Sequence, residues 1–189
     1  MKKILACLIF AATTATTTIL AADSKSFQAS LTPGIAIYTR TTEIEGLSLS
    51  IWGENPQSGL SIGLVNGSTG ESAGLTAGLF NYADSYKGVQ WSVVNYTKNN
   101  FSGWQGGPFF WFLVSGVNYT GGEMTGLQSG LVNYAGNLTG LQVGAINVAA
   151  KSNAGLQIGI INVIQENQLW FGEFPNAVAP AMILVNWRF

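Results

Sequence analysis

One eight-residue unit decides the fold of this chain, and its fullest copy is Gly155-Leu156-Gln157-Ile158-Gly159-Ile160-Ile161-Asn162. Close copies begin at Gly59, Gly74, Gly88, Gly126 and Gly140, and a degraded copy covers residues 111–118. Starting residues 59, 74, 88 and 103 are 15, 14 and 15 apart, and 111, 126, 140 and 155 repeat these steps. A fixed short period indicates an array of like elements.

The residue types within the unit favour a β-strand. Counting from position zero, position one is Leu or Val, position two is Ser, Thr or Gln, position four is Gly or Ser, and position seven is Asn. Alternation with period two is typical of a strand, and each glycine disfavours a helix by about 1 kcal/mol. The odd positions look lipid-facing, with Gln and Gly on the other face. Glycine at position four suits a tight bend or the close approach of another backbone.

The first residues resemble an export signal. Met1-Lys2-Lys3 is basic, residues 4–12 are apolar, and a Thr-rich stretch leads to Ala21-Ala22. This pattern predicts a signal peptide at residues 1–22, cleaved near Ala21 or Ala22. The alternative is a retained membrane anchor. After the signal we expect a single domain at 23–189, with repeats over about 46–163 and a terminal strand at 180–189.

Composition excludes several kinds of chemistry. Cys7 is the only cysteine and there is no histidine. Disulfides, His-ligated metals, and Ser–His or Cys–His catalysis are therefore excluded from the mature chain. There is no run of basic residues, so the sequence does not indicate the positively charged surface that nucleic-acid binding requires. We expect no cofactor and no metal.

Charged side chains are few and occupy the connections between units. Only 9% of residues are charged, against about 25% in typical soluble domains. Those in the connections include Glu71, Asp84, Lys87, Lys98, Glu123, Lys151 and Glu166. The units themselves carry no charge, so one face must meet lipid or pack against another layer. The remaining carboxylates of interest, Glu43, Glu45, Glu54 and Glu173, are interpreted as solvated charges. No pair has a spacing that catalysis demands, and we expect no enzyme.

The last strand alternates apolar residues up to a terminal aromatic, at Ile183, Val185, Trp187 and Phe189. This resembles the C-terminal assembly signal of bacterial outer-membrane β-barrels. Residues 59–163 resemble bacterial surface-repeat proteins with tandem G-L-Q-x-G-x-x-N units. Aligned by Asn186, the last strand puts its apolar residues on even positions. Either a bulge shifts its register there, which we expect, or the lipid-facing assignment of the units is wrong.

Two further columns of residues accompany the repeat. Tyr82, Tyr96, Tyr119 and Tyr134 each follow the final Asn of a unit, and in an up-and-down barrel they would lie at both membrane interfaces. The repeat asparagines are predicted to end strands and begin turns, a ligand-binding ladder being the weaker alternative. They are Asn66, Asn81, Asn95, Asn118, Asn133, Asn147 and Asn162.

These patterns predict an all-β chain, an antiparallel up-and-down transmembrane β-barrel of about twelve short strands that include 109–119 and 167–174. The alternative is a β-solenoid or β-roll of 14–15-residue coils, which resembles the heads of trimeric autotransporter adhesins. The barrel implies an outer-membrane protein with a structural, surface-display or passive-pore role. Its partners would be outer-membrane lipid and the assembly machinery. The solenoid implies a secreted adhesive surface module, and a lipid-modifying membrane enzyme is a third hypothesis. The sequence leaves the oligomeric state open.

Overall fold

The computed structural model describes residues 24–108 and 115–189, and all regular secondary structure in these ranges is β-strand. The all-β class is therefore confirmed. The predicted signal peptide lies outside the described residues. The strands of the described part are β1 (Lys25–Thr32), β2 (Ile35–Ala36), β3 (Ile44–Asn55), β4 (Ser58–Ala77), β5 (Phe80–Trp91), β6 (Val94–Thr97), β7 (Phe101–Gly106), β8 (Ser115–Ile164) and β9 (Ala181–Arg188).

Successive repeats pair in parallel. β3 pairs with β4 and β4 with β5, and Gly74 lies opposite Gly88. β5 pairs with β6 and β7, which both pair with β8, again in parallel. The chain therefore returns to the same place one repeat later, as in a β-solenoid. The predicted antiparallel up-and-down pairing is wrong for these strands, because each connection carries the chain around a coil instead of reversing it in a hairpin.

Each coil has two strand segments separated by two bends. The first segment of β5, residues 80–83, pairs with β6, and the second, residues 86–91, pairs with β7. One bend lies at positions four and five of the unit, as at Gly78-Leu79 and Ser92-Val93. We call it the apolar corner. The other lies in the connection, as at residues 98–100, and we call it the polar corner.

The 50-residue strand β8 runs through several coils, and its strand structure continues through the bends between them. Its glycines stack coil upon coil: a Cβ added at Gly144 would lie 1.9 Å from the carbonyl oxygen of Gly130. At Gly140 the φ angle is +135° and an added Cβ would lie 2.2 Å from the Gly126 oxygen. The expected close approach of backbones at the glycine columns is confirmed.

One coil contains an insertion. Asn95 lies opposite Asn118 and Gly103 opposite Gly126, so each pair is 23 residues apart, where the other coils have steps of 14 or 15. The extra residues lie between Gly106 and Ser115. The described part of the degraded copy predicted at 111–118, residues 115–118, is thus the second half of the unit that begins at Gly103. Of the strand predicted at 109–119, the described part begins at Ser115, and residues 109–114 lie outside the described ranges.

Antiparallel strands cover both ends of the stack. β2 pairs with β1, and β9 pairs with the last coil of β8, where Gln157 lies opposite Asn186. Paired ends protect a sheet from edge-to-edge association. The expected register shift is confirmed between Gly159 and Asn162, and Leu184 there has a φ of 67°. The strand predicted at 167–174 is wrong, since that segment consists of turns and bends.

Candidate functional site: an amide interior and an apolar surface

The repeat asparagines form a ladder inside the coil. All seven are at most 1% exposed, and the Nδ2 atom of each donates to the Oδ1 atom of the next over 2.8–3.1 Å. The ladder runs through Asn66, Asn81, Asn95, Asn118, Asn133, Asn147 and Asn162. Asn147 also donates to the Ile158 carbonyl at 3.0 Å. The prediction that these residues end strands is wrong, because all seven lie inside strands β4, β5, β6 and β8. Their amides instead bond from coil to coil beside the apolar corner.

The glutamines at position two form a second ladder that runs the opposite way. The Nε2 atom of each donates to the Oε1 atom of the glutamine one coil earlier, over 2.7–2.8 Å. The ladder contains Gln90, Gln105, Gln128, Gln142 and Gln157, all 0% exposed. Gln142 also donates to the Val148 carbonyl across the coil, at 3.2 Å. The amide dipoles of the two ladders therefore point in opposite directions along the stack.

A small apolar cluster fills the interior near the polar corner. Tyr86 and Phe101 stack there with ring centroids 6.4 Å apart, and Met124 and Leu138 continue the column. The Tyr86 hydroxyl is buried and makes no hydrogen bond. Its burial raises the pKa of the phenol above its ordinary value. With the amide ladders, this cluster fills the described coils, so that none of the repeat asparagines faces a ligand-sized opening.

Large apolar side chains cover the outside of the coils around the apolar corner. Ile160 is 67% exposed, Leu79 56% and Leu64 52%. The other exposed members of positions one to six include Leu60, Ile62, Leu75, Phe80, Val117, Leu131, Val132, Val143, Ile146, Ile158 and Ile161. This confirms that the Leu-rich positions face outward and the glutamines inward. The surface continues around the bend onto both strand segments of each coil.

Strict alternation predicts that position six, an even position, shares the inward face of the glutamines. This is wrong, because the bend reverses the alternation within the unit. Val132 and Ile146 at this position face outward, and the following Asn133 and Asn147 face inward. Two adjacent apolar residues before each asparagine are the signal that could have revealed the bend. The same reversal lets Asn186 face inward while Ile183 and Val185 of the last strand remain exposed.

The repeat tyrosines form one stripe along one side of the stack. Tyr82 pairs in register with Tyr96, and Tyr96 with Tyr119. The rings of Tyr96 and Tyr119 stack at 5.1 Å, and those of Tyr119 and Tyr134 at 4.9 Å. The prediction that they divide between two opposite interfaces is wrong, because parallel coils repeat each position on the same side.

Charged groups line the polar corner and the two ends of the stack. Near the first coils, Arg40 pairs with Glu54, which accepts a 2.7 Å hydrogen bond from the Tyr82 hydroxyl. Burial, with the bond to Glu54, raises the Tyr82 pKa to about 12. At the other end, Arg188 pairs with Glu173 at 2.9 Å. The candidate carboxylates Glu54 and Glu173 therefore lie far apart along the stack, each in an ion pair.

The described residues contain no cluster of His, Cys, Asp and Glu that could hold a metal ion. No helix in residues 24–108 or 115–189 is long and apolar enough to cross a membrane. Comparisons with protein-family models, with curated proteins and with solved structures found no match to this chain.

Proposed function

We propose that this chain is an exported, non-enzymatic β-solenoid that associates with lipid of the bacterial outer membrane and has a structural or surface-display role. The observation that carries the proposal is that each coil buries polar side chains and exposes apolar ones. Amide side chains such as Asn147 and Gln142 are 0% exposed, whereas Ile160 and Leu79 are more than half exposed. Monomeric soluble proteins rarely expose continuous apolar patches larger than a few hundred Å². An apolar phase is the environment that this surface suits.

The passive-pore role has less support than the structural one. A pore needs an open path, and here the interior of the described coils holds two hydrogen-bonded amide ladders and stacked glycine backbones. The lipid-enzyme hypothesis has little support as well, because the candidate carboxylates Glu54 and Glu173 are held in separate ion pairs with Arg40 and Arg188.

Vesicle flotation tests the proposal directly. The chain, purified in detergent and diluted into vesicles of phosphatidylethanolamine and phosphatidylglycerol, should float with the lipid and resist extraction by high salt. In cells it should fractionate with the outer membrane. Recovery as a soluble monomer that stays at the bottom of the gradient would refute lipid association.

A secreted adhesive module is the second candidate, and the solenoid coil itself favours it. The same apolar surface would then bind a foreign surface rather than the cell's own membrane. Fractionation separates the two candidates, because an adhesive module would be recovered in the medium and an outer-membrane protein in the membrane pellet.

The C-terminal strand keeps its proposed role as an assembly signal read by outer-membrane machinery. Phe189 is 66% exposed at the end of the strand that covers the last coil. Its deletion should lower outer-membrane levels without changing export across the inner membrane. Normal levels of the truncated chain would leave β9 with only its capping role.

A further inference from the structure

We infer that the solenoid lies in a single leaflet, with its axis parallel to the membrane, its apolar corner among the lipid chains and its polar corner in water. This rests on the proposed lipid association and adds the orientation and depth. The chain would thus lie in the membrane surface without crossing it.

Three parallel zones along the stack carry the inference. The first is the apolar corner, where Leu131 and Ile160 are 37% and 67% exposed and no residue is charged. The second is the tyrosine stripe, from Tyr82 to Tyr134. The third is the polar corner with Lys98, Lys151 and the other charged connections. Hydrocarbon, headgroups and water follow one another in the same order across a leaflet, and tyrosine prefers the headgroup level.

The depth follows from the coil. Position five at the corner and position eight in the tyrosine stripe are three residues apart, or about 10 Å at about 3.3 Å per strand residue. Elements that lie in the membrane interface bury their apolar face by about 5–10 Å. The hydrocarbon core is about 30 Å thick, so this corner is too shallow to reach the other leaflet.

The shape of the apolar surface favours lipid over a second copy of the chain. Exposed apolar side chains occur on both sides of the bend, Ile158 on one strand segment and Ile161 on the other. A second copy packed against one side would leave the other side in water, whereas fluid lipid covers both. The surface also extends to Trp170, which is 62% exposed and shares a groove with Ile161 and Ile183.

Site-specific labelling tests the orientation. The predicted mature chain has no cysteine, because Cys7 lies in the signal peptide. Single cysteines therefore replace Leu131 at the apolar corner, Val148 in the tyrosine column and Lys151 at the polar corner. Each carries an environment-sensitive fluorophore, and the vesicles contain lipids spin-labelled either near the headgroup or near the chain end. Ile160→Cys serves as a second corner variant, because the Ile160 side chain is 67% exposed.

The corner labels should be quenched several-fold more than the Lys151→Cys label. The Val148→Cys label should respond most to the spin label near the headgroup, and the corner labels should respond relatively more to the deep one, because the corner lies about 10 Å below the tyrosine stripe. Lys151→Cys should react freely with a water-soluble maleimide added outside the vesicles. Equal quenching at both corners, or failure of Lys151→Cys to react with the external maleimide, would overturn the orientation. A corner that is protected without lipid and crosslinks between chains would favour a second copy. Failure to bind vesicles at all would instead refute the proposed function.

Discussion

Replacement of Asn147 by Asp tests the claim that buried amides hold the coils together. Asn147 donates to the Asn162 Oδ1 atom at 2.8 Å and to the Ile158 carbonyl at 3.0 Å, and accepts from Asn133 at 2.8 Å. An ionised aspartate has the same shape but cannot donate. Two buried acceptors then lose their donor, at about 1–3 kcal/mol each, so the substitution should cost about 2–6 kcal/mol at neutral pH. A loss of about 4 kcal/mol lowers Tm by about 8–16 °C in a domain of this size.

The cost of Asn147→Asp should depend on pH in a defined direction. The carboxyl would lie among amides and carbonyls, so burial raises its folded-state pKa above the unfolded value of about 3.9. Between these two values the folded state keeps a proton that the unfolded state has released, and stability falls as pH rises. At pH 4 the protonated acid retains one O–H donor, which limits the cost to about 1–3 kcal/mol.

Thermal unfolding followed by far-UV circular dichroism, in one detergent at pH 4 and pH 7, measures both effects. Asn153→Asp is the matched control, because Asn153 is exposed in the next connection and its change should stay within about 0.5 kcal/mol. If Asn147→Asp behaves like the control at both pH values, or loses the same stability at each, the amide ladder does not hold the coil.

Five further substitutions test other parts of the coil by the same unfolding assay, with vesicle binding added for the last pair. Gly140→Ala should cost about 2–4 kcal/mol, because its φ is +135° and the added Cβ would lie 2.2 Å from the Gly126 oxygen; Gly34→Ala, with nothing within 4 Å, should be nearly neutral. Tyr86→Phe should stabilise the fold by about 1 kcal/mol at pH 7 by removing a buried hydroxyl without a partner. It should also weaken the loss of stability above pH 10, because burial raises the Tyr86 pKa above the ordinary 10.0 and only the unfolded state then releases the proton. Gln157→Arg should unfold the last coil, whereas Ile158→Arg should fold and bind vesicles more weakly. If Ile158→Arg unfolds the coil and Gln157→Arg does not, Ile158 faces inward and Gln157 outward, contrary to the structure.

The period, the strand class and the inward glutamines could be predicted from the sequence, but the direction of pairing was not. A unit of strand and connection fits both a hairpin array and a coil. A signal for parallel pairing was nevertheless present. Asn133 and Asn147 bond to each other at 2.8 Å only because parallel register stacks position seven on itself, whereas reversed strands would place these residues at opposite ends.

The bend at the apolar corner and the insertion were missed for a different reason. Strict alternation was assumed through all eight positions, but Gly78-Leu79 turns the chain and exchanges its faces. Residues 111–118 keep the spacing of the following units, so the sequence alone predicts a separate unit there. The pairings of Asn95 with Asn118 and of Gly103 with Gly126 identify the interrupted coil.

The small size of the coil explains why its interior is polar and its surface apolar. A coil of 14 or 15 residues with two closely facing strand segments leaves room for few inward side chains. Amides use this room well, because Gln142 and Asn147 bond both to their own column and to backbone carbonyls across the coil. Each such bond contributes about 1 kcal/mol, and the ladder satisfies polar groups that would be costly to bury alone. Outward side chains such as Ile158 and Leu131 are then not needed to form a core. The inward side chains therefore determine the fold of the coil, and the outward side chains determine what the coil binds. Exchanges among the outward apolar residues should alter binding without altering the fold.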